Sequence, residues 1–297
     1  MKIFDCFQFF DENMMLDLRL NVLNDAVDKF VIVENAYMHS GLKKKPVFDI
    51  KNFSKFKDKI IYILVDKLPE GLHDTTIIKN IKDKGNRTID NTLMIEHAQR
   101  DSILKGLTNA NENDLIIISD VDEIPNLKTI NLNKINKKLI YFKQKLFCYK
   151  FNLQMGNKPW CGSKACLKKN LILPQWLRDT KQKKYPIWRL DIFFSKTKYN
   201  SIHYIENGGW HFVNIKSPED IEKKLKNFGH NWEYNQSGLN LNDIKNMVGN
   251  NRAVYDYNAD MRAYKWSGKE KLIKCEISEL PSYLQQNKDL YSDWLVS

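Results

Sequence analysis

The chain reads as an α/β fold, a mostly parallel sheet flanked by helices. Two observations predict it. Short apolar, β-branched runs alternate with segments whose apolar residues recur at helical spacing, the strand–helix–strand pattern of a covered parallel sheet. One of those runs, Leu115-Ile116-Ile117-Ile118, offers no polar residue to either face, as a strand buried on both sides requires.

Taken in order, the first strand is expected over Lys2–Phe7. Leu16, Leu20, Leu23 and Val27 then fall at helical spacing and set one apolar stripe against the sheet. Strands follow at Phe30–Glu34 and Lys59–Val65. Leu93, His97, Arg100, Leu104 and Leu107 trace a second helical face before the strand Leu115–Ser119, and Leu139–Lys143 reads as another strand. From Lys143 to Tyr204 the pattern turns aromatic and irregular, with Trp160, Trp176 and Trp188. Such rings are either core or platforms for the apolar faces of sugars. From about Ser217 the chain reads as helices, with Pro218 at a helix start and Ile221 and Leu225 on one face.

The strand at Leu115 runs into Asp120-Val121-Asp122-Glu123-Ile124-Pro125. An acidic cluster is thereby placed at the carboxyl end of a parallel strand, where open α/β sheets bind ligands. Alternate residues of an extended segment point the same way, so Asp120 and Asp122 are expected to face one cation. Two carboxylates at that spacing form a hard-oxygen site suited to Mg²⁺ or Mn²⁺ carrying a substrate's phosphates. The competing reading is a turn that Pro125 closes ahead of a helix.

Composition narrows the class. With 42% hydrophobic residues the chain is globular, and 297 residues suffice for a sizeable core. A net charge of +11 suits acidic partners, but the basic residues are spread out, and no zinc-finger, ribonucleoprotein or basic-helix motif points to nucleic acid. Cys6, Cys148, Cys161, Cys166 and Cys275 form neither a disulfide framework nor a zinc spacing, which suits reduced thiols in a cytoplasmic protein. No run approaches the roughly 18 apolar residues of a membrane span, and the first residues read as a strand rather than a signal peptide. The expectation is a cytoplasmic protein, with any membrane contact peripheral.

Several motifs together resemble glycosyltransferase family 17, which includes the β-1,4-mannosyl-glycoprotein N-acetylglucosaminyltransferase. Asp120-Val121-Asp122-Glu123-Ile124-Pro125 is similar to that family's metal-binding signature. Ile3-Phe4-Asp5-Cys6-Phe7 with Phe9-Phe10 and Glu12, then Leu16 to Leu23, resembles its opening strand and helix. Phe30 to Glu34, followed by Ser40-Gly41 and Lys45-Pro46, is similar to its second strand and loop. Gly208-Gly209-Trp210-His211-Phe212, with Pro218-Glu219 and Lys224, looks like its late glycine-tryptophan-histidine motif. The likeness covers roughly residues 1 to 235 and then fades, and so many motifs in one order are far more specific than a lone Asp-x-Asp.

The resemblance implies a GT-A-like nucleotide-sugar-binding fold. Residues 1–240 would form the transferase domain, with a donor half (1–143) and an acceptor half (144–240), and 241–297 a helical extension packed on it. It implies Asp120, Asp122 and His211 as metal ligands, with Glu123 orienting them or binding the donor sugar. From the residues alone, the preferred reading of His211 is an ordinary histidine satisfied inside a tight turn. Gly209 is suited to a close approach of backbone to phosphate. Trp160 and Trp210 are candidate contacts to donor or acceptor.

Glu34, ending a buried strand, is placed to accept hydrogen bonds from a nucleoside. Arg19 and Arg100 are placed to pair with the diphosphate or an active-site acid, although Glu96 four residues before Arg100 suggests a plain helix pair. An inverting transferase needs a base. Asp179, Asp191, Glu206, Glu219 and Glu233 lie in the acceptor half, and Glu219 is preferred because it falls in the segment matching the family.

The function expected is metal-dependent transfer of a sugar, N-acetylglucosamine foremost, from a UDP-sugar to a glycan or lipid-linked saccharide. A phosphatase or phosphomutase of the haloacid-dehalogenase type shares Asp-x-Asp after a buried strand. That signature wants Thr or Val where Ile124 stands, and sits on the first strand of its fold. A catalytically inert carbohydrate-binding relative is the third reading.

Overall fold

The computed structural model describes residues 1–128, 130, 135–156, 159–183, 185–186, 188–227, 231–256 and 266–296. Strand β1 (Ile3–Phe9) lies inside a sheet that has ten strands among these residues. On one side it pairs in parallel with β2 (Lys29–Asn35), and β2 in turn with β3 (Ile60–Val65). On the other side β1 pairs in parallel with β4 (Leu115–Asp120). These are the strands the sequence anticipates, within a residue or two at each end.

Beyond β4 the sheet turns mixed. β5 (Glu123–Pro125), β6 (Leu139–Cys148), β7 (Leu153–Met155), β8 (Lys164–Leu167) and β9 (Ile202–Val213) supply antiparallel pairs and one further parallel pair, β6 with β9. The aromatic stretch after Lys143 therefore contributes strands, although most of it is loop and short helix. The C-terminal residues are helical for the most part, but β10 (Leu272–Lys274) adds an antiparallel edge strand against β7, a feature absent from the sequence reading.

Helix α1 (Asn13–Leu23) buries Leu16, Leu20 and Leu23 against one face of the sheet, as their spacing predicts. Leu280, Leu284 and Tyr291 return from the C-terminus to the same core. Helix α2 (Ile81–Asp101) covers the other face, continued by a 3₁₀ turn at Ser102–Leu107. Its inner face matches the expected one at Arg100 but not at Leu93. Thr92, Ile95, Gln99 and Arg100 are buried while Leu93 is 41% exposed, because the polar Gln99 and Arg100 are drawn inward by partners on the sheet. Shorter helices α3 (Pro174–Asp179), α4 (Asp191–Phe194), α5 (Pro218–Asn227), α6 (Asn231–Ser237) and α7 (Leu241–Gly249) follow, the last three beside a third apolar cluster that contains Ile221 and Ile244.

The Gly208-Gly209 pair has a structural use. The register between β6 and β9 slips between Phe142 and Gln144, so β9 bulges at Glu206 to Gly208, with Asn207 at φ 49° and Gly209 at φ 130°. A Cβ on Gly209 would lie 2.1 Å from the Ile124 carbonyl oxygen. The glycine that was expected to approach a phosphate instead lets β9 press against β5, because backbone occupies the space a side chain would need.

Candidate active site

From β1 the chain winds through α1 to β2 and β3, then crosses back through α2 to β4 on the far side of β1. The gap between the carboxyl ends of β1 and β4 is thus a topological switch point, where open sheets place ligands. Gln8 and Asp120 face one another across it in register.

Asp120 closes β4, and Val121-Asp122 turns away into β5. The expected alternation therefore stops at Asp120, and the two carboxylates acquire different partners. Asp120 Oδ1 accepts from Arg100 Nη2 (3.0 Å) and Oδ2 from Arg178 Nη2 (2.9 Å). Burial raises its pKa, but Arg178 and then Arg100 outweigh that and hold the carboxyl well below the usual carboxylate range. Asp122 instead has its Oδ1 3.6 Å from His211 Nε2 and its Oδ2 4.0 Å from Lys224 Nζ. Burial again raises its pKa, and His211 ahead of Lys224 brings it below the ordinary value.

Antiparallel pairing of β5 with β9 sets His211 opposite Glu123, and Phe212 N–H donates to the Asp122 carbonyl (2.8 Å). A ladder, not a flexible glycine loop, delivers the histidine to Asp122.

Glu123 is fully buried and committed. Its carboxylate accepts from Trp160 Nε1 (2.7 Å), Arg178 Nη1 (2.6 Å) and the Asp120 N–H (2.8 Å). It locks the turn from within rather than meeting a donor sugar. Gly162 makes room for it, since a Cβ there would fall 1.8 Å from Glu123 Oε1. Trp160 also packs on the imidazole of His211, ring centroids 5.2 Å apart, so it supports the site's framework.

Arg19 lies beneath the turn, completely buried. It pairs with Asp5 through two hydrogen bonds, 2.7 Å from Nε and 2.6 Å from Nη2. Its Nη1 donates to the carbonyls of Asp120 (3.0 Å), Val121 (3.2 Å) and Glu123 (2.7 Å). A diphosphate contact is excluded for it by these bonds and by burial. Glu34 is likewise withdrawn. It accepts from Lys44 Nζ (2.5 Å), the N–H groups of Val47 and Phe48, and Tyr62 Oη, and so organises the loop after β2 rather than a nucleoside. Arg100 pairs with Glu96 (2.8 Å) as its spacing suggests and also reaches Asp120, so both readings of it hold.

Two adjoining cavities open on this turn. One of about 230 Å³ is bounded by Phe10, His39, Gln99, Arg100 and Asp120. The other, about 450 Å³, is bounded by Asp11, Lys216, Asp220 and Trp294. Glu12, Asp122 and Lys224 line both. Glu219, the preferred base, lines neither; it is exposed and paired with Lys245 (2.7 Å), having turned toward α7. Asp191 and Glu206 are also spent on surface lysines or arginine. Trp210 points to the side of β9 opposite His211 and donates to the Glu279 carbonyl (2.7 Å), so it anchors the C-terminal segment.

Among the described residues no three His, Cys, Asp or Glu side chains form a ready-made cation cage. Asp122 lines both cavities, and His211 stands buried 3.6 Å from it, supplying an imidazole but lining neither. A carboxylate and an imidazole are both donors that a divalent cation accepts. Arg178, which neutralises two of the three acids, escapes the sequence reading, as does Lys164. The latter's Nζ donates to the carbonyls of Arg178 (2.5 Å) and Thr180 (2.6 Å), tying the start of β8 to the C-terminal end of α3, which carries Arg178. Burial, ahead of the neighbouring Arg178 charge, pushes the Lys164 pKa down to about 7.

Comparison with known proteins gives the following. The family model of glycosyltransferase family 17 matches residues 1–296, well past the point near residue 235 where motif likeness fades. No curated protein matches the chain. Among solved structures, HddC from Yersinia pseudotuberculosis is 13% identical, with 75% of this chain and 97% of that one covered and a TM-score of 0.33. The cytidylyltransferase IspD from Francisella tularensis is 8% identical over 75% and 98%, TM-score 0.30. An active-site mutant of LgtC is 12% identical over 69% and 72%, TM-score 0.27. These structural likenesses are too remote to inform function.

Two outcomes follow from the geometry. Arg19→Met leaves Asp5 buried and unpaired and is expected to lower the unfolding free energy by about 3–5 kcal/mol in urea titration. For Lys164, a folded pKa below the unfolded value means the unfolded chain binds more protons between about pH 7 and 10.5, so stability rises with pH there. The stability of wild type relative to Lys164→Met should therefore grow as pH is raised above about 7, and a difference flat in pH would contradict the assignment.

Proposed function

The chain belongs to glycosyltransferase family 17, and we propose that it is a metal-dependent, inverting member of it. The reaction proposed moves a sugar, N-acetylglucosamine foremost, from a UDP-sugar to a hydroxyl of a glycan or lipid-linked saccharide. The observation that carries this is Asp122 at the junction of two cavities on the sheet's switch point, with the His211 imidazole 3.6 Å from its carboxylate.

In this reading Asp122 and His211 hold Mn²⁺ or Mg²⁺, which when bound neutralises the departing diphosphate. Arg100 and Lys224 line the smaller cavity and bring fixed positive charge to the phosphates. The nucleoside occupies that cavity near Phe10 and His39. The acceptor enters the larger one, where Trp294 offers an aromatic face. Asp120 and Glu123 shape the turn and position Arg178, without being ligands in their own right.

The haloacid-dehalogenase alternative loses its footing. Family membership is against it, and Asp120, the would-be nucleophile, has both oxygens held by guanidinium groups. Among the described residues no helix is long and apolar enough to cross a membrane. We assign a cytoplasmic acceptor, reached with the help of the chain's +11 charge if it is membrane-linked.

Calorimetry with UDP, with and without Mn²⁺, tests the site. Wild type should bind UDP more tightly with Mn²⁺, and Asp122→Ala should lose that gain, an effect on the order of tenfold or more. UDP affinity indifferent to both metal and Asp122 would sink the reading. Binding of UDP-sugars without turnover would favour the inert relative.

A further inference from the structure

We propose that Glu12 is the general base of the transfer reaction, an assignment that rests on the glycosyltransferase reading above. The base must sit where donor sugar and acceptor meet, within hydrogen-bond reach of the attacking hydroxyl. Glu12, Asp122 and Lys224 are the residues that line both cavities. Lys224 is cationic, and Asp122 is turned to His211. Glu12 is the carboxylate that remains.

Its local structure suits the task. β1 ends at Phe9, and Glu12 stands at the N-terminus of α1, on the same edge of the sheet as Asp120. Oε2 accepts from the N–H groups of Phe10 (3.3 Å) and Asp11 (3.1 Å), which fixes the carboxylate plane. Oε1 lies 3.6 Å from Lys216 Nζ, an ammonium that Asp11 holds more closely at 2.5 Å. One oxygen is thus anchored by backbone while the other keeps only a loose contact, and the side chain is 12% exposed.

The competing acids are worse placed. Asp11 is taken by Lys216, and Asp220 accepts from Ser217 Oγ (2.8 Å) and lines the larger cavity without reaching the smaller.

In the step assigned, a Glu12 carboxylate oxygen takes the proton of the acceptor hydroxyl as that oxygen attacks the anomeric carbon. The bond from the anomeric carbon to the diphosphate oxygen breaks, the nucleoside diphosphate leaves with the electron pair, and configuration inverts. The proton stays on Glu12 until solvent removes it.

The test uses the full chain with Mn²⁺ and UDP-N-acetylglucosamine, then other UDP-sugars, with water as acceptor and released UDP as the readout. Glu12→Gln keeps an oxygen for the two backbone N–H groups. It should lower kcat by about 10²–10⁴-fold and remove the acid limb of the pH–rate profile, with the Kd for UDP unchanged. Glu12→Asp withdraws the carboxylate by one methylene, and it should lose on the order of 10²-fold in kcat, again with UDP binding intact. It decides the matter if the glutamine variant does not fold.

Either variant turning over like wild type, or losing UDP affinity in step with rate, overturns the assignment and leaves the donor site standing. Wild type releasing no UDP from any UDP-sugar overturns the donor reading and this assignment together.

Discussion

The Arg19 guanidinium is the constraint on which the site depends. A turn that carries three acids in four residues at the end of a buried strand repels itself and exposes backbone carbonyls to a dry interior. Arg19 answers the second problem from below, with one nitrogen on three carbonyls of the turn and the other two on Asp5. The Asp5 pair neutralises the buried charge, and the Phe7 ring lies 4.5 Å from the guanidinium carbon. Sequence places Asp5 inside the first strand and Arg19 within the apolar stripe of the first helix, so strand, helix and turn are joined by one side chain.

With the backbone held, the acids divide their work. Arg178 and Arg100 compensate Asp120, and Trp160 with Arg178 compensates Glu123. Their charges are satisfied within the protein. Asp122 lines both cavities, where Asp120 reaches only the smaller, and its neighbours His211 and Lys224 are 3.6 Å and 4.0 Å away. A divalent cation at Asp122 would add positive charge for a diphosphate to offset, with the Lys224 ammonium close by. The site is partly buried, so charge there is worth more than in water.

How far the sequence was legible follows from which interactions are local. The strand at Leu115 and its acidic end were readable because a run of β-branched residues with no polar face has few other fates. α1 was readable from its stripe. What failed, failed at a distance. Asp120 and Asp122 were expected to share a direction, but the strand ends between them, and a one-residue difference in where extension stops reverses a side chain. Arg178 carries no local signature; it matters because β8 and α3 pack beside β4.

Glu34 and Arg19 carried the right chemistry in the wrong direction, since burial turned both toward structural partners. The α2 face departs from the expected stripe at Leu93, which is exposed, while Gln99, polar by type, turns inward to the Val33 carbonyl. Glu219 fell in a family-like segment yet points at α7, whereas Glu12, noted only as part of an opening motif, stands at the cavity junction. The C-terminal segment was harder still, because its strand Leu272–Lys274 exists only through pairing with β7.

The central claim is that Asp122 and His211, not the Asp120 carboxylate, hold the divalent cation. Anomalous diffraction from crystals grown with Mn²⁺ and UDP tests it most directly. The account predicts one manganese peak in bonding contact with Asp122 Oδ and His211 Nε2, with diphosphate oxygens completing its shell and Asp120 still between Arg100 and Arg178. A peak bound by Asp120 with its arginines displaced, or UDP bound in the cavity with no manganese beside it, would contradict the account.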